Sequence, residues 1–311
     1  MKKCVQSRPV MTVFCLVAAA WMISCAKNAN AEPPYQNATP TKKGVCISKT
    51  TWNDADSKFW YQRIRSLNVS WYHTWKAEWD SGNYFLNKEE FVPLLWGKGQ
   101  ADFSAPNGEK AEEEIKWMIQ NGKIEYLMGF NEPNHENQAN ITPEKAIELW
   151  PNLMKFNIPL GSPAPAGIVE GSSGAIWLDK FLKLAKERNY RVDFICLHLY
   201  LGDAEKFKKI VTAAWEKYQL PIWITEFAHT DSGASETKPN KFTEDDTIVF
   251  LSEILPWLDS MPFVHRYAWF GSLTDKHITL SSSQLFDPNT GALTKVGKFY
   301  AGYQSVPIRN Q

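Results

Sequence analysis

Cysteine is scarce in this sequence, with five among 311 residues, too few to read as a disulfide framework. Net charge is missing as well. Thirty-four Lys and Arg balance 34 Asp and Glu with no basic stripe, which argues against a nucleic-acid partner. After Ile23 no apolar run approaches the ~20 residues that cross a bilayer. The chain also lacks G-x-S-x-G, H-E-x-x-H and P-loop motifs, and no G-x-G-x-x-G follows its first strand-like run. Those absences set aside nucleophile-elbow hydrolases, zincins, P-loop enzymes and dinucleotide-binding sheets. His135-Glu136 does not have the spacing of a zinc site. No internal repeat or low-complexity tract interrupts the chain after its leader.

Flat apolar side chains are plentiful, with 14 Trp, 11 Tyr and 17 Phe. Tryptophan is a costly filler, so some of these rings are expected to meet a ligand. The N-terminus carries Lys2, Lys3 and Arg8 before the apolar run Val10 to Ile23, the pattern of an export signal over residues 1–25. Two processing sites compete. Met22-Ile23-Ser24-Cys25 resembles a lipoprotein box with a lipid on Cys25, and Ala29-Asn30-Ala31 fits cleavage before Glu32. Export to a bacterial periplasm or cell surface, or to the medium, is the expectation, with membrane contact only through Cys25. Residues 26–42, rich in Pro, Asn and Thr, read as a tether, and residues 43–311 as one domain acting as a monomer. Cys46 and Cys196 lie in separate apolar runs and are expected to be buried free thiols.

From Lys43 onward short apolar runs alternate with longer amphipathic ones, which predicts parallel strands joined by crossover helices. Eight strands are expected at Gly44–Lys49, Val69–Trp75, Phe91–Trp96, Ile124–Asn131, Ile158–Ser162, Asp193–Tyr200, Pro221–Glu226 and Val264–Phe270. Helical stripes follow the third, fifth and sixth: Ala111, Ile115, Met118 and Ile119; Leu178, Phe181, Leu182 and Ala185; Phe207, Ile210, Val211 and Ala214. Thr243–Ser260 reads as a further helix. Trp79–Glu90 is too short and turn-like for one, so one outer helix is expected to be reduced. The fold class is α/β, a (β/α)8 TIM barrel, whose chemistry collects at the carboxyl ends of the strands.

Two runs end in carboxylates: Asn131-Glu132-Pro133 after the fourth and Thr225-Glu226-Phe227 after the seventh. Strands four and seven face each other across an eight-membered ring, so the two acids can address one bond from opposite sides, the arrangement that glycosidic cleavage demands. Pro133 disfavours helical geometry at Glu132 and is expected to hold its carboxyl where the strand leaves it. Asn131 is expected to donate its amide to a ligand hydroxyl. In the sixth run alternation puts His198 and Tyr200 on one face, a hydrogen-bonding wall beside Glu226. Trp75, Trp96 and Trp269, near the ends of their runs, are candidate sugar platforms, with Tyr72 as a further ligand contact.

Phe91-Val92-Pro93-Leu94-Leu95-Trp96-Gly97, Gly129-Phe130-Asn131-Glu132-Pro133, Leu160-Gly161-Ser162-Pro163-Ala164, Asp193-Phe194-Ile195-Cys196-Leu197-His198, Trp223-Ile224-Thr225-Glu226-Phe227 and Arg266-Tyr267-Ala268-Trp269-Phe270 occur in that order. Together they resemble family 128 glycoside hydrolases, clan A barrels acting on β-1,3-glucan, from about Lys43 to Tyr300. The resemblance implies a retaining β-1,3-glucanase, endo-acting on laminarin-like polymers, with Glu132 as acid/base and Glu226 as nucleophile. It implies no metal or cofactor. Leu199 stands where members commonly carry Trp, and Asn134 where Asp is frequent. Two other readings stay open: a noncatalytic β-glucan-binding lipoprotein, and a clan A hydrolase of β-1,4-linked glucan or mannan.

Overall fold

Proline and glycine divide the apolar runs of this chain into short strands, and the computed structural model shows how eight of them still close into a ring. It describes residues 40–48, 60–80, 82–271 and 277–308. The export signal, with both of its processing sites, and nearly all of the tether lie outside those residues. The strands are β1 (Lys43–Cys46), β2 (Trp71–His73), β3 (Glu90–Phe91), β4 (Leu127–Met128), β5 (Leu160–Gly161), β6 (Ile195–Tyr200), β7 (Ile222–Ala228) and β8 (Val264–Phe270). Each lies within or overlaps its predicted run.

Six strands pair in the order β3-β2-β1-β8-β7-β6, and β4 pairs with β5, all in parallel. Parallel bridges Leu94 to Met128 and Gly161 to Phe194 join the two groups at both seams. The eight strands therefore run round a closed barrel in chain order. β3 is shorter than expected because Pro93 has no N–H for the ladder, although its carbonyl still accepts from Met128 N at 3.0 Å. Gly129 follows β4, and glycine is required there because a Cβ would lie 2.7 Å from the Trp150 ring.

Helices α1 (Trp60–Ser66), α2 (Lys98–Ala101), α3 (Pro106–Gln120), α4 (Pro143–Met154), α5 (Ser173–Glu187), α6 (Ala204–Tyr218), α7 (Glu244–Ser260) and α8 (Lys295–Gly302) fill the connections. Local sequence sets their starts. Thr142, Ser172 and Asp203 cap α4, α5 and α6 with side-chain oxygens, and Thr243 with Asp246 closes a capping box on α7. The predicted stripes are the inward faces: Ala111, Ile115 and Met118; Leu178, Phe181 and Ala185; Phe207, Ile210, Val211 and Ala214 are buried, and Ile119 and Leu182 are half-buried against the same core. Between β2 and β3 the described residues form only a 3-10 turn, Asn83–Phe85, so the second crossover is reduced as expected. Among the described residues no helix is long and apolar enough to cross a membrane.

The lumen is filled in layers. At its floor Arg266 Nη2 donates to Glu90 Oε2 at 2.6 Å, with the guanidinium over the rings of Trp223, Tyr126 and Trp71 at 4.4, 4.7 and 5.6 Å. Met128, Cys196 and Ala268 pack in the same apolar cluster as those tryptophans. Cys46 and Cys196 are free and buried, and burial pushes both thiols up, away from reactivity. Above this packed core the strand ends present their polar side chains.

Candidate active site

Glu226 reaches the lumen through a break in strand regularity. Strict alternation along β7 puts Trp223 and Thr225 inside, with Ile222, Ile224 and Glu226 outside. The pairing of β7 with β6 steps from Leu197–Ile224 to His198–Glu226, leaving Thr225 as an extra residue, and the register against β8 shifts at the same place. This bulge turns Glu226 inward while Phe227 returns to the outer core. The freed Thr225 carbonyl accepts from His73 Nε2 at 2.9 Å. Burial holds the His73 pKa down to about 3, so its ring is neutral and donates from Nε2.

The Glu226 carboxylate is gripped from the ends of two other strands, β2 and β6. Trp75 Nε1 donates to Oε1 at 2.5 Å, the Tyr200 hydroxyl donates to Oε2, and His198 Nε2 lies 3.3 Å from Oε1. Burial pushes its pKa above the usual carboxylate value. Glu132's charge adds to that, while His198, Tyr200 and Trp75 pull the other way.

Glu132 follows β4 with φ of 39°, in the left-handed region that non-glycine residues seldom occupy. Pro133 does exclude right-handed helical geometry there, but the chain turns left-handed rather than continuing extended. Backbone bonds on both sides hold the turn: Asn131 N to Trp96 O and Glu132 N to Ala164 O, each 2.9 Å. His198 Nδ1 meets Glu132 Oε1 at 3.1 Å. Burial raises the Glu132 pKa, but the hydrogen bond and charge of His198, with His135 behind, outweigh it and leave it lowered. Burial likewise opposes a charge on His198, yet the two carboxylates prevail and its pKa is raised. One donor atom each from Glu132, His198 and Glu226 lies within 4.8 Å of the others. That triad is, among the described residues, where a cation could be held, though its atoms already serve one another.

Glu132, Glu226, His198, Tyr200 and Trp75 are thus brought together at the barrel mouth. Trp75, expected as a platform, instead uses its indole N–H to hold Glu226. Trp96 sits half-buried at the end of the third run, its carbonyl supporting Asn131. Asn131 is buried at the site, where its Nδ2 donates to Gln138 Oε1 at 3.1 Å and its Oδ1 has no hydrogen-bond partner among the described residues. Gln138 uses one N–H of that amide, so the second N–H is left for the expected donor role and Oδ1 adds an acceptor.

Two expected contacts are wrong. Trp269 is fully buried in the outer core, its Nε1 bonded to Ser283 O at 3.0 Å and its ring against Phe227 and Tyr300. Tyr72 is fully buried against Trp60 and Phe91, its hydroxyl accepting from Asn83 Nδ2 at 2.8 Å. Each stands one position out of phase, since Arg266, Ala268 and Phe270 face the lumen on β8, and Trp71 and His73 on β2. Phe270, which the sequence reading passed over, lies against Trp75 and Tyr200 at 5.6 and 5.7 Å. His73 and Gln138 were also missed; the alternation Trp71-Tyr72-His73 was the available signal for the first. Asn134 ties the two loops together, with Nδ2 to Ala166 O at 3.0 Å and Ala166 N to Oδ1 at 2.8 Å. An Asp there could make only the second bond.

Residues 46–300 match the family described as glycosyl hydrolase catalytic core. A family 128 subgroup I endo-β-1,3-glucanase from Amycolatopsis mediterranei, crystallised as a glutamate-substituted variant with laminaripentaose, is 30% identical. The match covers 84% of this chain and 99% of that one, with a TM-score of 0.64. A subgroup II endo-β-1,3-glucanase from Sorangium cellulosum is 25% identical over 85% of this chain and 99% of its own, with a TM-score of 0.66. Alkali-sensitive linkage protein 1 of Schizosaccharomyces pombe is 28% identical over 183 residues, 56% of this chain, and the chain spans about a third (32%) of that relative's length. With its paired acids at the carboxyl end of a closed parallel barrel, the chain belongs to the glycosyl hydrolase catalytic core family and, within it, to the family 128 glycoside hydrolases.

Proposed function

We propose that this protein is a retaining endo-β-1,3-glucanase acting on laminarin-like polymers by double displacement, with Glu226 as nucleophile and Glu132 as acid/base. The observation that carries the reading is the spacing of the two acids. Retaining glycosidases hold their carboxyl groups ~5–5.5 Å apart and inverting ones ~6.5–9.5 Å. Here one carboxylate oxygen of each acid lies within 4.8 Å of the other, nearer the retaining spacing than the inverting one.

Double displacement needs Glu226 ionised and Glu132 protonated, yet the unliganded mouth favours a charged His198 between them. Moving one proton from His198 Nδ1 to Glu132 Oε1, across their 3.1 Å bond, supplies the active form without changing the net charge of the triad. A sugar ring seated over the half-buried Glu132 displaces water and disfavours its charge, which drives that transfer. Glu226 attacks the anomeric carbon as Glu132 protonates the leaving oxygen; Glu132 then takes a proton from water, which releases the glycosyl-enzyme. Tyr200 and Trp75 aim the attacking carboxylate.

The test is a time course of products from laminari-oligosaccharides, with anomeric configuration followed by NMR. Retention and early products of intermediate length are expected. Inversion would overturn the mechanism, monosaccharide release alone the endo mode, and no cleavage the enzyme reading in favour of a glucan-binding protein. Glu226→Gln should lose at least about 10³-fold in kcat while keeping oligosaccharide binding. Export on the N-terminal signal, with a lipid on Cys25 or cleavage after Ala31, belongs to the same proposal, and incorporation of labelled fatty acid separates the two.

A further inference from the structure

Away from the mouth, the reduced second crossover leaves part of the outer wall without a full helix. Trp79 and Tyr84 from this connection meet Trp117 from α3. The Trp79 ring lies 5.7 Å from Tyr84, edge to face, and 6.1 Å from Trp117, tilted by 55°. Large aromatics of a soluble barrel usually turn inward, yet Tyr84 is 60% exposed and Trp117 37%. With Lys110, Glu113 and Glu114 they line a cleft of about 360 Å³, within the range of small-ligand sites.

Three features define what fits there. The rings stand at steep angles and form a corner, which suits a compact ring with apolar faces better than a flat protein surface. The lining charges are of both signs, and a second cation, Lys123, sits 5.7 Å over the Trp79 ring. That balance favours an uncharged ligand that both donates and accepts hydrogen bonds. Glu113 and Glu114 form no ion pair among the described residues, so their carboxylates are available to hydroxyl donors. A pyranose chain meets all three conditions.

We propose that this cleft is a second, noncatalytic β-glucan site that holds a strand of the polymer on the outer wall while the mouth cuts. Trp117 and Tyr84 stack against sugar rings, and Glu113 and Glu114 accept from their hydroxyls. The proposal rests on the reading of the protein as a β-1,3-glucanase, and its test keeps the two apart.

Retention on insoluble β-1,3-glucan is measured in a Glu226→Gln background, and compared between proteins that share the same mouth and differ only in the cleft. Adding Tyr84→Ala and Trp117→Ala should weaken retention roughly tenfold. Glu113→Gln with Glu114→Gln, all exposed or half-buried positions that threaten no core, should weaken it about threefold. With nucleophile-intact protein, the ratio of kcat/KM on insoluble polymer to kcat/KM on laminaripentaose should fall about fivefold in the aromatic variant. Unchanged retention in both variants, with their melting temperatures intact, overturns the cleft. A parent protein that fails to turn over laminaripentaose instead overturns the reading of the mouth, and retention is still read independently.

Discussion

Glu226 depends on donors from two other strand ends, and the way each holds its charge can be measured. Activity requires this group ionised, and burial has raised its pKa. As pH falls, kcat/KM should therefore be lost at higher pH than the 4.5 of an ordinary glutamate would dictate. Tyr200→Phe removes a donor to the charged form without emptying the site. Its acidic limb should move to still higher pH, with kcat reduced about 10- to 100-fold, since a hydrogen bond to a charged group is worth ~1.5–3 kcal/mol. An acidic limb that stays in place would show that the hydroxyl does not support the ionised carboxylate. His73, under the bulge, makes the opposite kind of test. Its folded pKa of about 3 lies far below the 6.5 of the unfolded chain. Below pH 6.5 the unfolded state takes up a proton that the folded one refuses, so stability falls by ~1.4 kcal/mol per pH unit until the folded pKa is reached. His73→Asn keeps a donor for the Thr225 carbonyl and removes the titration. Its stability deficit at pH 7 should shrink as the pH is lowered to 5, as followed by denaturant melts; a deficit independent of pH would refute the assignment.

At the scale of the strand, most of what was legible came from alternation, and what was missed came from its phase. On β6 the phase could be read locally, because Cys196, His198 and Tyr200 share one side, and the lumen wall followed. On β8 two rings stand side by side, and period two does not say which of Trp269 and Phe270 faces in until Arg266 is known to lie on the floor. Tyr72 failed for the same reason beside Trp71 and His73. On β7 strict counting would have sent Glu226 outward. It was placed correctly because it ends the run, but the bulge that turns it inward leaves no signal that a pattern of apolar and polar residues can carry. The two rings of β8 convert this into an experiment. Trp269→Ala opens a cavity in the outer core and should cost ~3–5 kcal/mol of stability, with KM for laminari-oligosaccharides unchanged in the folded fraction. Phe270→Ala removes the half-buried ring behind Trp75 and Tyr200; it should lower kcat about tenfold with much less effect on melting. The reverse pattern would put Trp269 in the lumen.

Across the whole molecule the barrel divides into a reactive mouth and a floor that closes the ring, and the floor has an unusual construction. Arg266 on β8 and Glu90 on β3 are both buried, and they join strands that are not neighbours. The pair is also incomplete, since Arg266 Nη1 and Glu90 Oε1 have no hydrogen-bond partner among the described residues. Three aromatic rings around the guanidinium replace part of the lost hydration through cation–π attraction, while burial raises the Glu90 pKa against the pull of Arg266. Removing one partner leaves the other charged and buried, so Arg266→Met should destabilise by ~3–5 kcal/mol, or roughly 6–15 °C in Tm for a domain of this size. Replacing both partners removes both desolvation costs. Arg266→Met with Glu90→Leu should therefore recover most of that loss, because a pair with unmet hydrogen bonds gains little over apolar packing. A double variant as unstable as Arg266→Met alone would mean that the ion pair itself fixes β3 against β8. In that case the mouth should also lose activity, because β3 leads directly into the Trp96 carbonyl that supports the Asn131 and Glu132 turn.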